Sequence, residues 1–268
     1  MSNEAETRRW NDDYWMSVWP KREELTNQVT DLLLDHLHPQ PGEHVLDVGC
    51  GGGRSTLAAG TRVGRSGAVV GYDLSQPLLA LARRRAEEQG STNTLFVAGD
   101  AQTAAFEGAP FDAAVSQFGV MFFDDSVAAF ANIHRHLKPG GRLAFVCWQS
   151  AEQNAWNIGP LVARYAPAPA PPAAGKSPTG PFALADVART TDLLRAAGWT
   201  DVERTGYEMT VQVPPETLAD EGQLAFAGVP EPDRPAAWEA VQGLLARFPG
   251  VGGRLEVPIA FQIFAARA

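Results

Sequence analysis

Two apolar segments in the first third of the chain each lead to an acidic residue that could take part in ligand binding. Residues 45–53 read VLDVGCGGG, so an apolar run that contains Asp47 enters a loop with four glycines. A second apolar run ends in Asp73, 24 positions after Gly49. In a strand–loop–helix–strand unit of this length, the second acid lies where it can accept the hydroxyl groups of a ribose. The pattern therefore predicts a site for a nucleoside cofactor.

The spacing of the glycines argues against a dinucleotide. A dinucleotide loop has the pattern G-x-G-x-x-G and places a pyrophosphate over the start of a helix, whereas this loop has Gly49, Gly51 and Gly53 after an acid. A carboxylate at that point repels phosphate and favours an ammonium group. We expect the three glycines to let the backbone approach such a ligand. Two roles are open for Asp47: it holds the ammonium group through a water or orients the loop amides, or it caps the loop.

Apolar periodicity indicates that strands and helices alternate around this unit. This alternation predicts an α/β fold with a doubly wound, mostly parallel sheet. The predicted strands are 43–48, 68–72, 94–98, 111–116, 142–148, 202–213 and 255–266. The principal predicted helices are 22–38, 54–59, 76–88, 127–137 and 186–198, and residues 215–249 are expected to be helical.

These segments together resemble the class I, seven-stranded S-adenosylmethionine-dependent methyltransferases. Residues 45–53 are similar to the first motif of that family, and residues 99–101, Gly-Asp-Ala, are similar to its adenine-contacting segment. Residues 111–118 resemble its fourth motif, and residues 137–141 resemble the turn before its fifth strand. The resemblance implies seven strands with an antiparallel last strand, N-terminal helices, and a helical insertion between strands six and seven.

Residues 116–123 and 145–148 are similar to the branch that contains the ubiquinone- and menaquinone-pathway enzymes, which methylate varied small molecules at carbon, nitrogen or oxygen. The resemblance implies S-adenosyl-L-methionine as cofactor and a small molecule as methyl acceptor. Asp73 would then accept the ribose hydroxyls, and Asp100 would accept the adenine amine. The other residues expected at the cofactor are Leu74, Ala101, Gln117 and Trp10.

We expect the acceptor to bind outside these motifs, against Met121, Phe122, Trp148, Trp156 and the segment 215–249. Such aromatic side chains favour an apolar or aromatic acceptor, although they would also pack as a core without contacting a ligand. Methyl transfer depends mainly on holding the acceptor atom near the sulfonium. His134, His136 and Tyr165 are nominal proton acceptors, but no catalytic base is assigned.

Residues 1–38 are expected to form a helical lid, and residues 39–268 a Rossmann-like domain with a proline-rich loop at 166–181. The spacing of Trp10 and Tyr14 predicts one helical stripe, with Trp15 and Trp19 beside it. This helix would either pack onto the domain or close over the cofactor, where an aromatic face attracts the sulfonium.

The charge, the apolar runs and the cysteines of the chain indicate which partners and which cellular location to expect. A net charge of −9 disfavours a nucleic-acid partner, and no apolar run is long enough to span a membrane. Two distant cysteines provide neither a disulfide framework nor a metal site, so a cytoplasmic protein is expected. The oligomeric state stays open. The alternatives are a cofactor-binding relative that catalyses cyclisation or rearrangement, a non-catalytic binding module, and an NAD-dependent dehydrogenase.

Overall fold

The computed structural model describes residues 3–167 and 179–268, which form one eight-stranded sheet with flanking helices. Apolar, β-branched runs form its interior strands, as expected for a sheet covered on both faces. The strands are β1 His44–Val48, β2 Ala68–Asp73, β3 Thr94–Ala98, β4 Phe111–Gln117, β5 Leu137–Trp148, β6 Thr200–Val213, β7 Gly250–Val251 and β8 Arg254–Arg267.

The sheet order is β3-β2-β1-β4-β5-β8-β6, with β7 paired only to β8. Strands β1 to β5 pair in parallel, whereas β8 runs antiparallel between β5 and β6. This confirms the predicted α/β fold with a mostly parallel sheet and an antiparallel last strand. The short β7 was not predicted; it turns into β8 at Gly252 and Gly253, which both have positive φ.

The α-helices cover the sheet and extend its two ends. They are α1 Glu4–Trp10, α2 Asp13–Arg22, α3 Val29–Leu37, α4 Arg54–Val63, α5 Gln76–Glu88, α6 Ser126–Arg135, α7 Gly159–Val162, α8 Val187–Ala196, α9 Pro215–Leu218, α10 Glu221–Phe226 and α11 Arg234–Leu245. Helices α3 and α4 pack beside each other, as do α6 and α8. Fully buried aromatic side chains such as Phe130 of α6 and Phe145 of β5 fill the space between helix and sheet.

The N-terminal helices differ from the prediction. Trp10 and Tyr14 do not share a helix, because α1 ends at Trp10 and α2 begins after Asp12, whose side chain accepts from the Tyr14 amide. The single helix predicted from residue 22 to 38 is also wrong. A 3₁₀ turn covers residues 23–25, and α3 begins only at Val29. The apolar spacing missed this break because the turn keeps Leu25 buried with Val29.

Residues 137–141 also differ from their predicted role as the end of a helix and a turn. Helix α6 ends at Arg135, and β5 already begins at Leu137, which pairs with Phe111. The end of the chain provides the reason. Gly140 N donates to the Ala268 carbonyl, and Ala268 N donates to the Gly141 carbonyl, so these glycines belong to the sheet.

The predicted division into a lid, a main domain and an acceptor cap stays a prediction. Most of the proline-rich loop, residues 168–178, lies outside the described residues. From the segment 215–249, the structure forms three short helices and one 3₁₀ turn, in line with its expected helical character.

Candidate active site

A cavity of about 300 Å³ opens at the carboxyl ends of β1, β2 and β4. It lies where the strand order reverses direction, between β1 and β4, which is the usual ligand site of an open α/β sheet. Two predicted site residues, Asp47 and Gly53, do not line it. The predicted residues that do line it are Trp10, Gly49, Gly51, Asp73, Leu74, Asp100, Ala101, Gln117, Met121, Phe122, Trp148 and Trp156.

The glycine loop after β1 is packed against protein on the sides where β-carbons would stand. Gly49 has φ +70°, and a β-carbon there would come within 2.7 Å of Gly119 Cα. At Gly51, with φ +51°, a β-carbon would come within 2.8 Å of the Trp19 ring. Only glycine fits both the backbone conformation and the contact. The glycines therefore bring the loop against the turn after β4 and against α2.

Asp73 joins the tip of β2 to this loop. Its Oδ2 accepts from the Gly51 amide at 2.8 Å, and its Oδ1 accepts from the Ser75 amide at 2.8 Å. Burial raises the pKa of Asp73, although the amides partly offset this effect. A carboxylate has about four acceptor positions. Asp73 lines the cavity and can therefore accept a further hydrogen bond from a ligand there.

Asp47 lies behind the loop and is fully buried. Its Oδ2 accepts from Ser55 Oγ at 2.7 Å and from Thr56 Oγ1 at 2.6 Å, at the start of α4. Burial raises the pKa of Asp47 to about 6 despite these hydroxyl groups, and the nearby Asp73 acts in the same direction. Of the two roles left open for Asp47, these contacts favour capping the loop and helix over direct contact with a ligand.

Asp100 is held by a residue that the sequence did not single out. Asn3 donates its backbone N–H to Asp100 Oδ2 at 3.1 Å, and its side-chain Nδ2 donates to the Phe122 carbonyl at 2.8 Å. The Gln102 amide donates to the other carboxylate oxygen at 3.0 Å. Asn3 was missed because an isolated asparagine in a polar leader carries no periodic signal.

The turn between α1 and α2 is attached to the cofactor edge of the sheet. Asn11 Nδ2 donates to the Leu74 carbonyl at 3.0 Å, and Asn11 Oδ1 accepts from the Gln76 amide at 3.0 Å. Just before this turn, Trp10 packs edge-on against Phe122, with ring centroids 5.2 Å apart. The tryptophans of these two helices all line the cavity, and they are Trp10, Trp15 and Trp19.

Helix α2 is also attached to α9 and α10 through Arg22. Its Nη1 donates to the Thr217 carbonyl at 2.7 Å, and its Nη2 lies 3.2 Å from Asp220 Oδ2 and 2.8 Å from Gln223 Oε1. Tyr14 OH donates to Asp220 Oδ2 at 3.1 Å. Burial is the main cause that raises the pKa of Tyr14 to about 12. We call this group of four side chains, Tyr14, Arg22, Asp220 and Gln223, the lid–cap cluster.

An aromatic wall of three side chains, Phe118, Trp148 and Trp156, forms another side of the cavity. Phe118 and Trp148 are stacked, with centroids 4.3 Å apart and planes 23° from parallel, and Trp156 meets Trp148 edge-on at 4.8 Å. Phe118 has φ +60°, a rare conformation for a non-glycine residue. It follows β4 directly and lies beside Gln117 at the carboxyl edge of the sheet, where ligands bind in such folds.

The nominal proton acceptors do not line the cavity. His134 packs against Trp199, with ring centroids 5.1 Å apart. His136 lies at the amino end of β4, where its carbonyl accepts from the Phe111 amide. In residues 3–167 and 179–268, no group of His, Cys, Asp or Glu side chains is arranged to hold a metal ion.

Comparison with known proteins identifies the family. A family model described as a methyltransferase domain matches residues 45–141. Over 259 residues, the chain is 32% identical to the nocamycin O-methyltransferase of Saccharothrix syringae, and the match covers 89% of this chain and 90% of that protein. The chain belongs to the class I S-adenosylmethionine-dependent methyltransferases. It is therefore an enzyme that uses S-adenosyl-L-methionine to methylate a small molecule.

Two further relatives bear on its branch and fold. The methyltransferase is 39% identical over 137 residues to the demethylmenaquinone methyltransferase of Corynebacterium kroppenstedtii, a match that covers 47% of this chain and 55% of that protein. This confirms the similarity to the menaquinone-pathway branch. The crystal structure of the [4+2]-cyclase SpnF has a TM-score of 0.55 and 24% identity, over 90% of this chain and 80% of that chain. That likeness shows the shared fold alone.

The residues of the cavity fit the cofactor. Asp73 has acceptor positions left for the ribose hydroxyls, and Asn3 Oδ1 is buried without a hydrogen-bond donor among the described residues. This oxygen lies on the residue that binds Asp100, where an adenine amine would supply a donor. The cofactor supplies a sulfonium-bound methyl group. Among the helices of residues 3–167 and 179–268, none has the length and apolar character needed to cross a membrane.

Proposed function

We propose that this methyltransferase transfers the methyl group to an oxygen of a planar, aromatic small molecule. The observation that carries the proposal is the aromatic wall, which borders the same cavity as Asp73 and the glycine loop. Aromatic side chains stack on planar rings with offset or edge-on geometry, and here three of them line one side of the cavity. The nocamycin O-methyltransferase, which matches nearly the whole chain, supports oxygen as the attacked atom.

We propose the following roles for the residues of the cavity. Asp73 binds the ribose hydroxyls, and Asp100 with the Ala101 amide binds the adenine, while Leu74 and Gln117 flank the cofactor. Trp10 covers the cofactor from the lid. The acceptor lies against Met121, Phe122 and the aromatic wall. Catalysis then comes mainly from holding the acceptor oxygen in line with the methyl group, because such proximity can supply a large part of the rate.

The test measures S-adenosylhomocysteine release from the purified enzyme with a panel of naphthols, hydroxyanthraquinones, quinols and aromatic amines. Products are identified by mass, and a gain of one methyl group on oxygen is expected for one of the fused-ring phenols. A Trp156→Leu variant should raise the KM for that acceptor about fivefold and leave binding of S-adenosylhomocysteine unchanged, since stacking contributes about 1 kcal/mol.

Trp238→Leu provides the matched control, because Trp238 lies on α11 and does not line the cavity. Its substitution should leave the KM unchanged. Methylation of amines alone would contradict oxygen as the target. A product of unchanged mass, formed without S-adenosylhomocysteine release, would support the cyclisation or rearrangement alternative instead.

A further inference from the structure

Besides Asn3, four residues that line the active-site cavity each have a buried side-chain atom without a hydrogen-bond partner. The atoms are Trp15 Nε1, Trp19 Nε1, Arg22 Nε and Thr217 Oγ1, and none of them forms a hydrogen bond with the described residues. All four residues line the cavity. Folded proteins leave few such groups unpaired, because each loses its bonds to water on burial. Their convergence on one cavity points to a ligand that supplies acceptors.

The four groups lie at the junction of α2 and α9. Trp15, Trp19 and Arg22 are spaced by four and three residues, so they share one face of α2. Thr217 belongs to α9, and its carbonyl accepts from Arg22 Nη1 at 2.7 Å. The side chain of Thr217 is only 1% exposed. The hydroxyl group of α9 and the donor face of α2 therefore border the same corner of the cavity.

The charges around this corner favour oxygen ligands. Three of the groups are N–H donors, and Arg22 adds a positive charge that Asp220 contacts only at Nη2. The neighbouring Glu23 is bound by Arg85, with 2.7 Å between Arg85 Nη2 and Glu23 Oε2, so its charge is compensated. Charge-assisted bonds from such donors are strongest to carboxylates and related oxyanions.

We propose that Trp19, Arg22 and Thr217 form a subsite for a carboxylate group of the methyl acceptor, with Trp15 at its border. This inference rests on the proposed function, since it places the acceptor between these donors and the aromatic wall. The ring system contacts the wall, and the acid group reaches the donors. The methionine carboxylate of the cofactor is a second source of the same chemistry, and the experiment separates the two.

The experiment measures binding of 2-naphthoate and 2-naphthamide to the enzyme saturated with S-adenosylhomocysteine, by calorimetry. The wild type should bind the carboxylate more tightly than the amide. Thr217→Val keeps the shape of the side chain and removes the hydroxyl group, and it should weaken naphthoate binding about tenfold, the usual effect of losing one hydrogen bond to a charged group. Trp19→Phe, which removes one N–H, should do the same.

The melting temperature of the ligand-free enzyme provides a second readout. Thr217→Val removes an unpaired buried hydroxyl, so the melting temperature of the ligand-free enzyme should stay the same or rise while the affinity falls. The matched control is Thr190→Val, because Thr190 is equally buried but donates to the Leu184 carbonyl at 3.2 Å. That variant should lose stability and keep its affinity for naphthoate.

Three outcomes would overturn the proposal. One is equal affinity of wild type and Thr217→Val for naphthoate, and another is loss of stability in Thr217→Val. In the third, Thr217→Val weakens binding of S-adenosylhomocysteine but does not weaken binding of naphthoate or of 5′-methylthioadenosine. Because 5′-methylthioadenosine lacks the methionine carboxylate, this result would show that the donors bind the carboxylate of the cofactor. Failure of the wild type to bind S-adenosylhomocysteine would instead contradict the proposed function.

Discussion

The Gly51 amide donates a hydrogen bond of 2.8 Å to Asp73 Oδ2, which joins the loop after β1 to the tip of β2. The two residues are 22 positions apart in the chain. Because parallel strands end at the same edge of a sheet, the short connection between them brings the acid against the loop. Together with the Gly49 and Cys50 amides, which both donate to the Tyr72 carbonyl, this contact holds the loop against the tip of β2.

Asp73→Asn should weaken binding of S-adenosylhomocysteine at least tenfold. The amide keeps the shape of the side chain but loses the charge that strengthens bonds from hydroxyl groups. Titration calorimetry provides the measurement. The control is Asp112→Asn, since Asp112 pairs with Lys138 at 2.6 Å near the amino end of β4. If wild type and Asp73→Asn bind S-adenosylhomocysteine with equal affinity, Asp73 does not bind the cofactor.

Gly51→Ala should displace Trp19 and lower the affinity for S-adenosylhomocysteine by tenfold or more. The new β-carbon would come within 2.8 Å of the Trp19 ring, and the positive φ adds strain. Gly90→Ala is the matched control, because Gly90 has φ +63° but nothing within 4 Å of an added β-carbon. The control should lose about 1 kcal/mol of stability and no affinity. The prediction fails if both variants bind equally well.

Asp47 should make the enzyme less stable as the pH rises through 6. The pKa of Asp47 is about 6 in the folded protein and 3.8 in the reference state, chiefly because of burial. Folding therefore takes up a proton between pH 4 and 6, and the associated stability is fully present below pH 4 and lost above pH 6. The full effect is about 3 kcal/mol. Asp47→Asn should remove this part of the pH dependence, as measured by urea unfolding from pH 4 to 8.

Asp112 should affect the pH dependence of stability in the opposite direction to Asp47. Burial acts to raise the pKa of Asp112, but the hydrogen bonds from Lys138 and the His44 amide together lower it. Its contribution to stability is therefore present above pH 4 and lost as the pH falls further. Asp112→Asn should thus flatten the acid side of the stability curve. Parallel curves for wild type and Asp47→Asn would contradict the buried carboxylate argument.

Asp220→Asn should loosen the lid without unfolding the enzyme. The substitution removes the charge that faces Arg22 and Tyr14 in the lid–cap cluster. Hydrogen exchange of residues 13–22 should become several-fold faster, because the cluster joins α2 to the start of α10. Asp35→Asn is the control, since it breaks an ion pair with Arg62 on the exposed surface. Unchanged exchange in Asp220→Asn would show that the cluster does not hold the lid.

Asp73 and Thr217 show which site residues could be predicted from the sequence and which could not. Asp73 was found because an apolar run before it and a glycine loop 24 positions upstream indicate where the strand ends. Thr217 was not found, because nothing in its short helix distinguishes a threonine that lines a cavity from one that faces solvent. Its role depends on Arg22, which lies 195 positions earlier in the chain.

The sequence by itself determined the alternation of strands and helices, the glycine loop, and the acids at the ends of β2 and β3. These features depend on local patterns, in which apolar periodicity and glycine mark each element and its end. The tertiary structure alone decided that Asn3 contacts Asp100 across 97 positions, that Trp19 covers Gly51, and that the cap contributes Thr217 to the cavity. Such contacts arise from packing between distant segments, and no local pattern encodes which distant side chains will meet.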